Sequence, residues 1–435
     1  MQKRIKRYNQ LIAVNLIEKM KEFEHNPPEI TGFSISRTQY LISLILSHKQ
    51  DNHPDAWSLL NMGYMKNIVY NADQYLNFLR ERKIIEWINY LKGRNSRMYR
   101  LINEGRTECR AISDRKLIFK IEENRRNVQL RNSKMYPALN ENIYKAGINY
   151  EAAKKTIESE YLKNIKKGYK KVEGRRTFSL AEIEKIQSGE IYIKVNQTNG
   201  RLDSNYTRLP SELVQHLTID GNYLAELDIR NSQPFFVAPL FNPTPEIEKL
   251  MIRFLGRRFT MYVISLQLPE CEDVKLYTSL VTSGEFYDPF LMNKFKETGI
   301  PFKDREDLKE QIFIVFFGKS DAYKYNPAAR LFKATFPNVQ ILFDAIKKDE
   351  HNRLSILLQK IESYVILKRV AQKILTDIPI LPFLTRHDSC LPSKILVCEN
   401  CIEMAKEIML TTIQEITGLT PIVRIKLKEE NYEKN

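Results

Sequence analysis

The sequence predicts an α+β protein of two or three domains, in which a basic, mainly helical N-terminal part precedes a part with helices and short strands. Three observations support this prediction. The chain has 435 residues, which exceeds the usual size of one domain. Residues 1–200 carry 37 Lys and Arg against 22 Asp and Glu, whereas the remainder carries 31 of each. Apolar, strand-like segments that end in carboxylates occur in the second half.

The composition excludes several classes of protein. With 43% hydrophobic and 28% charged residues, the chain can build ordinary cores and is not a disordered polymer. No apolar run approaches the roughly 18 residues of a membrane span, so no membrane partner is expected. Five cysteines in a chain of this length are typical of reduced thiols in a cytoplasmic protein. The net charge of +15 favours a polyanionic partner, with nucleic acid as the default.

The basic half divides into an N-terminal domain, residues 1–110, and a helical region, residues 111–195. Residues 1–24 are predicted to be helical, ending before a Pro-Pro pair. Between residues 34 and 102, short helices precede a strand-like segment, a basic Gly-containing turn and a second strand-like segment. This order resembles the winged-helix variant of the helix-turn-helix. The wing would carry basic residues toward phosphates, namely Lys92, Arg94, Arg97 and Arg100. A helical domain that ends in a β-hairpin is the alternative.

The densest basic segment lies in the helical region. Lys163, Lys166, Lys167 and Lys170 follow the spacing i, i+3, i+4, i+7, which places them on one face of a helix. Such a face can follow a phosphate backbone without reading its sequence. A solvated helix surface is the equally plain interpretation.

Two strand-like segments of residues 196–435 end in carboxylates. One leads to Asp228, and the other is a strand–turn–strand pattern with His387 and Asp388 near its turn. A sheet can bring such strand ends together. Nucleotidyl transfer uses two Mg²⁺ ions, and Mg²⁺ prefers hard oxygen ligands. The candidate metal ligands are therefore Asp228, Asp388 and the backbone carbonyl of Ile229, with Mn²⁺ as an alternative ion.

A second pattern provides cations and aromatic rings. Arg305, Lys309, Phe313 and Phe317 stand four residues apart, which forms one stripe on a helix. The cations suit a triphosphate, and the rings suit a base and sugar. Gly318 leaves the backbone open where a base pair would approach.

Together these segments resemble family A, DNA polymerase I-like, nucleic-acid polymerases. The resemblance covers about residues 197–428, with five motifs in the family's order. They are TNGRLDS (Thr198–Ser204), the Asp228 segment, the helix from Arg305 to Gly318, Leu331-Phe332-x3-Phe336-Pro337-x-Val339, and His387-Asp388. The resemblance implies a right-hand polymerase with palm and fingers in residues 196–435 and a thumb-like region in residues 111–195. It implies addition of dNTPs to a primer 3′-hydroxyl on a DNA template.

The resemblance also implies individual roles. Arg201, Gln359 and His387 would contact the minor-groove side of the primer-template end, where every base pair offers acceptors. Lys309 would neutralise, and donate a proton to, the departing pyrophosphate. Tyr287 lies in a segment that resembles the fingers near the incoming nucleotide. Three plain alternatives stay open: a turn residue for His387, a helix-surface polar residue for Gln359, and a loop-to-helix junction for Tyr287.

Some positions depart from the family. Gln233 stands where its DNA polymerases have a Glu that excludes the ribose 2′-hydroxyl, and Phe317 replaces the usual Tyr. His387-Asp388-Ser389 is the form seen in phage-type single-subunit RNA polymerases. A primase or RNA polymerase on the same palm is therefore the alternative, and RNA is not excluded as a partner. A non-catalytic replication initiator is a further alternative. The N-terminal part lacks the carboxylates of a proofreading exonuclease, so none is expected.

Overall fold

The computed structural model describes residues 8–49, 57–89, 97–103, 105–132, 137–169, 171–319, 321–394 and 400–426, without the side chains of residues 125–138, 140 and 323. The chain is an α+β protein, as predicted. It divides into two compact units, residues 1–193 with 204–221 and residues 194–203 with 222–435. Within the described ranges, no helix has the length and apolar character of a membrane span.

The first unit is mainly helical, with short antiparallel strands. Its strands are β1 (Asn9–Ala13), β2 (Ser58–Leu59), β3 (Ile85–Ile88), β4 (Met98–Leu101), β5 (Thr107–Ala111) and β6 (Ala146–Ile148). The ribbon of β7 (Ile193–Val195) and β8 (Leu202–Ser204) belongs mainly to the second unit, and β9 (Leu217–Ile219) belongs to the first. Its helices are α1 (Ile17–His25), α2 (Ile35–Ser47), α3 (Met62–Ile68), α4 (Ala72–Glu81), α5 (Arg115–Asn132), α6 (Pro137–Lys145), α7 (Tyr150–Lys166), α8 (Val172–Ser188), α9 (Asn205–Arg208) and α10 (Ser211–Val214).

The expectation of one helix over residues 1–24 is wrong at its start. Residues 9–13 form β1, which pairs antiparallel with β5, and Leu11, Ile12 and Ala13 are buried. An apolar run can satisfy its backbone groups through a partner strand distant in sequence, and local periodicity does not report such a partner. The helix α1 begins only at Ile17 and ends at His25, before the Pro-Pro pair.

Three strands and three helices form a small layer in the first unit. In chain order they are α2, β2, α3, α4, β3 and β4, and the sheet order is β2-β4-β3, antiparallel throughout. The buried face of α4 carries Tyr75, Leu76 and Leu79, which pack in the core of this layer. The predicted basic turn, with Lys92 and Arg94, lies outside the described residues.

The second unit combines helices with a four-stranded antiparallel sheet of order β12-β13-β11-β14. Its strands are β10 (Asn222–Tyr223), β11 (Glu226–Ile229), β12 (Phe383–Arg386), β13 (Ser389–Pro392) and β14 (Val423–Lys426). Its helices are α11 (Ser232–Val237), α12 (Pro245–Leu255), α13 (Arg257–Ser265), α14 (Glu272–Thr282), α15 (Met292–Glu297), α16 (Arg305–Phe317), α17 (Pro327–Thr335), α18 (Pro337–Lys347), α19 (Arg353–Ser363), α20 (Ala371–Asp377) and α21 (Cys401–Thr417).

An aromatic cluster forms the centre of the helical part of this unit. Tyr277, Phe286 and Phe336 are fully buried, with ring centroids 5.3 to 6.2 Å apart. Phe332 continues the cluster and stacks on Phe343 at 5.7 Å. Each such ring contributes about 2–3 kcal/mol by burial, so the cluster fixes the helices that surround the site.

The cysteines follow the prediction of reduced thiols only in part. Cys109, Cys271 and Cys390 are free, and burial raises the pKa of the Cys390 thiol to about 12. Cys401 is disulfide-bonded, so the expectation is wrong at this position. Its neighbour in the C-x2-C pair, Cys398, lies outside the described residues.

Candidate active site

The sheet of the second unit brings the two predicted carboxylates together. Asp228 lies on β11, directly opposite Ser389 of β13. Asp388 precedes Ser389 in the two-residue turn of the β12–β13 hairpin, whose first residue, His387, has a φ of 52°. Asp388 is thus the chain neighbour of the residue that faces Asp228, and the two carboxylates are close enough for the charge of Asp228 to act on Asp388. The tight turn was predicted, but the strands differ from the predicted segments 378–384 and 395–397: they are β12 (Phe383–Arg386) and β13 (Ser389–Pro392), and residues 395–397 lie outside the described residues.

The two acidic groups interact electrostatically. Burial, together with the charge of Asp228, raises the pKa of Asp388 to about 6, against smaller opposing effects. Ile229, the third predicted ligand, lines the same cleft. Two repelling carboxylates beside a backbone carbonyl form a hard oxygen donor set, which fits Mg²⁺. Over the described residues, no group of three or more His, Cys, Asp and Glu side chains could hold a metal ion.

A lysine that sequence reasoning missed holds Asp228. Lys426 on β14 places its Nζ 2.7 Å from Asp228 Oδ2 and 3.3 Å from Glu226 Oε2. Burial acts to lower the pKa of Lys426, but its hydrogen bond to Asp228 and the two nearby carboxylates raise it. The only signal was the alternation of Arg424 and Lys426 in a short strand, which does not reveal its neighbour. Lys426 therefore supplies a positive counter-charge beside the Asp228 carboxylate.

The helix α16 begins and ends where the four-residue spacing predicts. Asp304 caps it by accepting hydrogen bonds from the backbone N–H groups of Glu306 and Asp307, at 3.1 and 3.0 Å. At its other end a Cβ on Gly318 would lie 2.5 Å from the carbonyl oxygen of Ile314. Glycine is therefore required here by close backbone packing. Whether it also admits a base pair stays a prediction.

Lys347, a residue of α18 that the sequence analysis did not select, closes the C-terminal end of α16. Its buried Nζ donates to the carbonyl oxygens of Val315, at 2.5 Å, and Gly318, at 3.0 Å. Burial lowers the pKa of Lys347 to about 8. A cation at this end satisfies terminal carbonyls and complements the helix dipole. Lys347 thus fixes the position of the helix that carries the cationic stripe.

The cationic end of α16 surrounds one aromatic ring. Arg305 and Lys309 lie over Tyr287, with their charged groups 5.8 and 5.9 Å from the ring centroid. The ring is buried, and the Tyr287 hydroxyl has no hydrogen-bond partner in the described part of the chain. Further along the helix, Phe313 and Phe317 pack edge to face at 5.3 Å. A buried hydroxyl without a partner is the kind of group that a bound ligand satisfies.

Carboxylates and cations line one cleft of about 370 Å³. Eight of the residues predicted from the sequence contribute to its wall: Asp228, Ile229, Gln233, Tyr287, Arg305, Lys309, Phe313 and Asp388. The wall also includes Arg424 and Lys426, which were not predicted. Phe317 is not part of this wall and instead packs behind Phe313. The cleft therefore presents acidic oxygens and cations to the same small space.

A buried ion pair connects three segments beside the cleft. Arg201 donates from Nε and Nη2 to the two carboxylate oxygens of Glu362, at 2.8 and 2.9 Å. Gln233 donates from Nε2 to the same carboxylate. Burial raises the pKa of Glu362 to about 7, with Arg201 opposing and the charge of Asp388 adding to the shift. Sequence reasoning missed Glu362, although a lone acid within the apolar run of α19 was a usable signal.

The residues predicted to contact a primer-template lie in different places. Gln359 lies on α19 and accepts a hydrogen bond from Asn199 Nδ2 at 2.9 Å. Arg201 contacts the same helix through Glu362. His387 lies in the hairpin turn. In the first unit, Lys163 and Lys166 are exposed on the last turn of α7, which ends at Lys166, and Lys167 is its exposed C-cap. Lys170 lies outside the described residues.

Comparison with known proteins adds no assignment. A scan against protein-family models finds no match, and a search of curated proteins finds no significant match.

Proposed function

We propose that this chain is a template-directed DNA polymerase, which adds dNTPs to a primer 3′-hydroxyl and has no proofreading exonuclease. The observation that carries the proposal is the convergence of Asp228 and Asp388 with Arg305 and Lys309 on one cleft. The proposal includes a right-hand arrangement, with palm and fingers in residues 196–435 and a basic, thumb-like helical region in residues 111–195. It also includes a cytoplasmic location.

Each part of the cleft has a role in this chemistry. Asp228, Asp388 and the Ile229 carbonyl would hold Mg²⁺, which when bound stabilises charge on the attacking and leaving oxygens. Arg305 and Lys309 would bind the triphosphate, and Lys309 would donate a proton to the departing pyrophosphate. Phe313 would contact the base and sugar. The Tyr287 hydroxyl, which has no partner in the described part of the chain, would bind a polar atom of the nucleotide.

Nucleic acid is the second partner in the proposal. Arg201, Gln359 and His387 would lie at the primer-template end. The exposed lysines at the end of α7 would contact phosphates, and their effect would weaken with salt. The order of helices and strands from α2 to β4, with the sheet order β2-β4-β3, supports a winged-helix domain in residues 35–101.

A primer-extension assay tests this proposal. We expect the wild-type chain to extend a primed DNA template with dNTPs and Mg²⁺, and Asp228→Asn to lower the rate by roughly 1000-fold because one metal ligand is lost. Asp377→Asn, an exposed carboxylate at the end of α20, is the matched control and should extend normally. Equal extension by Asp228→Asn would refute the assigned role, and an inactive wild type would favour the non-catalytic initiator.

One observation favours a second candidate, synthesis of RNA by the same cleft. Gln233 donates its Nε2 to Glu362, so its Oε1 remains an acceptor, and this atom has no hydrogen-bond partner in the part of the chain that the structure describes. Such an acceptor can receive a hydrogen bond from a ribose 2′-hydroxyl. The family's DNA polymerases exclude the 2′-hydroxyl with a Glu where this chain has Gln233. They also have a Tyr where this chain has Phe317, which has no hydroxyl group.

The two candidates predict different nucleotide preferences. RNA synthesis predicts that kcat/KM for rNTPs is within about tenfold of that for dNTPs, a difference of roughly 1.4 kcal/mol. The comparison uses one primed template and the two nucleotide sets at equal concentrations. A preference for dNTPs of more than about 1000-fold would remove the second candidate.

A further inference from the structure

The helix α4 and the turn before it have the geometry of a helix-turn-helix. The chain leaves α3 at Ile68 and enters α4 at Ala72, through a turn of three residues. Val69, in this turn, is buried and accepts a hydrogen bond from the backbone N–H of Ala72 at 2.9 Å. Tyr70, in the same turn, is 90% exposed. The turn is thus fixed on its inner side and presents a large aromatic side chain on its outer side.

The outward face of α4 is polar rather than simply charged. Gln74, Asn77 and Glu81 are exposed and follow the spacing i, i+3, i+7, so they form one stripe opposite the buried face. Asp73, beside the stripe, is paired with Lys66 at 3.1 Å. Two neutral amides within the first two turns of the helix are significant, because Gln and Asn can form two hydrogen bonds with an adenine edge in the major groove.

Arginines flank this face in a restrained arrangement. Arg80, on α4, and Arg97, beside β4, both stack on Trp87, with guanidinium carbons 4.4 and 5.0 Å from a ring centroid. Stacking reduces the conformational freedom that each side chain would lose on binding a phosphate. Arg100 differs, because it is paired with Glu86, so the sequence-based expectation that it contacts phosphate is weakened.

We propose that α4 reads duplex DNA in the major groove, with Gln74 and Asn77 contacting adenines and with Arg80 and Arg97 contacting the flanking phosphates. An α-helix fits the major groove, and the N-terminal turns of the second helix of a helix-turn-helix contact the base edges. The inference rests on the winged-helix part of the proposed function but not on polymerase activity. It gives the chain a sequence preference that the lysines of α7 cannot provide, since phosphate contacts carry no sequence information.

Selection from a pool of random duplexes by the full chain tests this inference. We expect wild type to enrich a short motif that contains A·T pairs. Gln74→Ala and Asn77→Ala should each relax the preference at one position by roughly 5- to 100-fold. Gln215→Ala, an exposed glutamine elsewhere in the first unit, is the matched control and should enrich the same motif. All these positions are exposed, and circular dichroism should show unchanged folding.

A second pair of variants separates phosphate contacts from base reading. Arg97→Ala should weaken binding of all sequences alike and reduce the salt dependence by about one charge, whereas Arg115→Ala, an exposed arginine of α5, should not. A motif that survives both amide substitutions would overturn the inference. So would salt-dependent wild-type binding without any enriched motif, although the winged-helix proposal would then stand. Absence of duplex binding would overturn both, and primer extension would still report on the polymerase separately.

Discussion

Replacing Asp388 with asparagine is expected to lower the rate of nucleotide addition by roughly 1000-fold while making the folded protein more stable. Burial and the charge of Asp228 raise the pKa of Asp388 to about 6. The pKa of Asp388 is thus higher in the folded than in the unfolded protein. The folded protein therefore keeps its full stability below the ordinary pKa near 4 and loses stability as the pH rises through about 6. At pH 7.5 the ionised carboxylate therefore opposes folding, and a neutral amide removes that cost.

Thermal unfolding without divalent ions measures this effect. The gain from Asp388→Asn should reach about 2 kcal/mol at pH 7.5 and shrink as the pH falls toward 4. The exposed control Asp377→Asn should change stability by less than about 0.5 kcal/mol at either pH. If Asp388→Asn instead destabilises the protein at pH 7.5, the Asp388 carboxylate stabilises the fold through a partner in the protein and does not serve mainly to bind a cation.

The second large effect is expected at the buried ion pair. Glu362→Ala should lower the free energy of unfolding by about 3 kcal/mol or more, because Arg201 then loses both of its hydrogen bonds and keeps its charge in a mostly buried position. Urea unfolding measures this change. The substitution also frees Gln233 Nε2, so the cleft wall should lose its fixed amide.

A double substitution provides the control for this second prediction. Arg201→Met with Glu362→Met removes both charges, so it should destabilise the protein less than Glu362→Ala alone. A matched surface pair, Lys294 with Glu297, lies on α15 at 2.9 Å and is well exposed. Glu297→Ala should cost less than about 1 kcal/mol. If the Glu362 and Glu297 variants lose equal stability, the buried pair does not hold the three segments together.

Local patterns identified those parts of the site that one segment determines. The stripe from Arg305 to Phe317 coincides with α16 because its spacing, its Asp304 cap and the following Gly318 all agree. The Asp228 strand and the His387-Asp388 turn were visible for the same reason, since a short apolar strand and a tight turn are local features.

Features that depend on distant partners were missed. Lys426 acts on Asp228 only because β14 pairs with β11, and nothing in the C-terminal segment indicates that pairing. Glu362 and Lys347 are charged residues in apolar helices whose partners lie far away in sequence. The strand β1 differs from the predicted helix because its partner, β5, lies about a hundred residues later. Pairing between distant segments, rather than propensity, decided each of these cases.

The two units differ in how their charges are distributed. The surplus of positive charge lies in residues 1–200, where exposed lysines end α7 and arginines flank α4. In the second unit, Arg305, Lys309 and Lys426 face the carboxylates of one cleft. General binding of nucleic acid is therefore the role proposed for the first unit, and nucleotidyl transfer is the role proposed for the second.

Single-nucleotide incorporation tests the central claim most directly. Four primed templates that differ only in the first templating base are each offered the four dNTPs one at a time, with Mg²⁺ and the wild-type chain. We expect extension by the complementary nucleotide on each template and a rate of extension lowered roughly 1000-fold in Asp228→Asn. Extension that ignores the templating base, or its absence with every nucleotide, would contradict a template-directed polymerase.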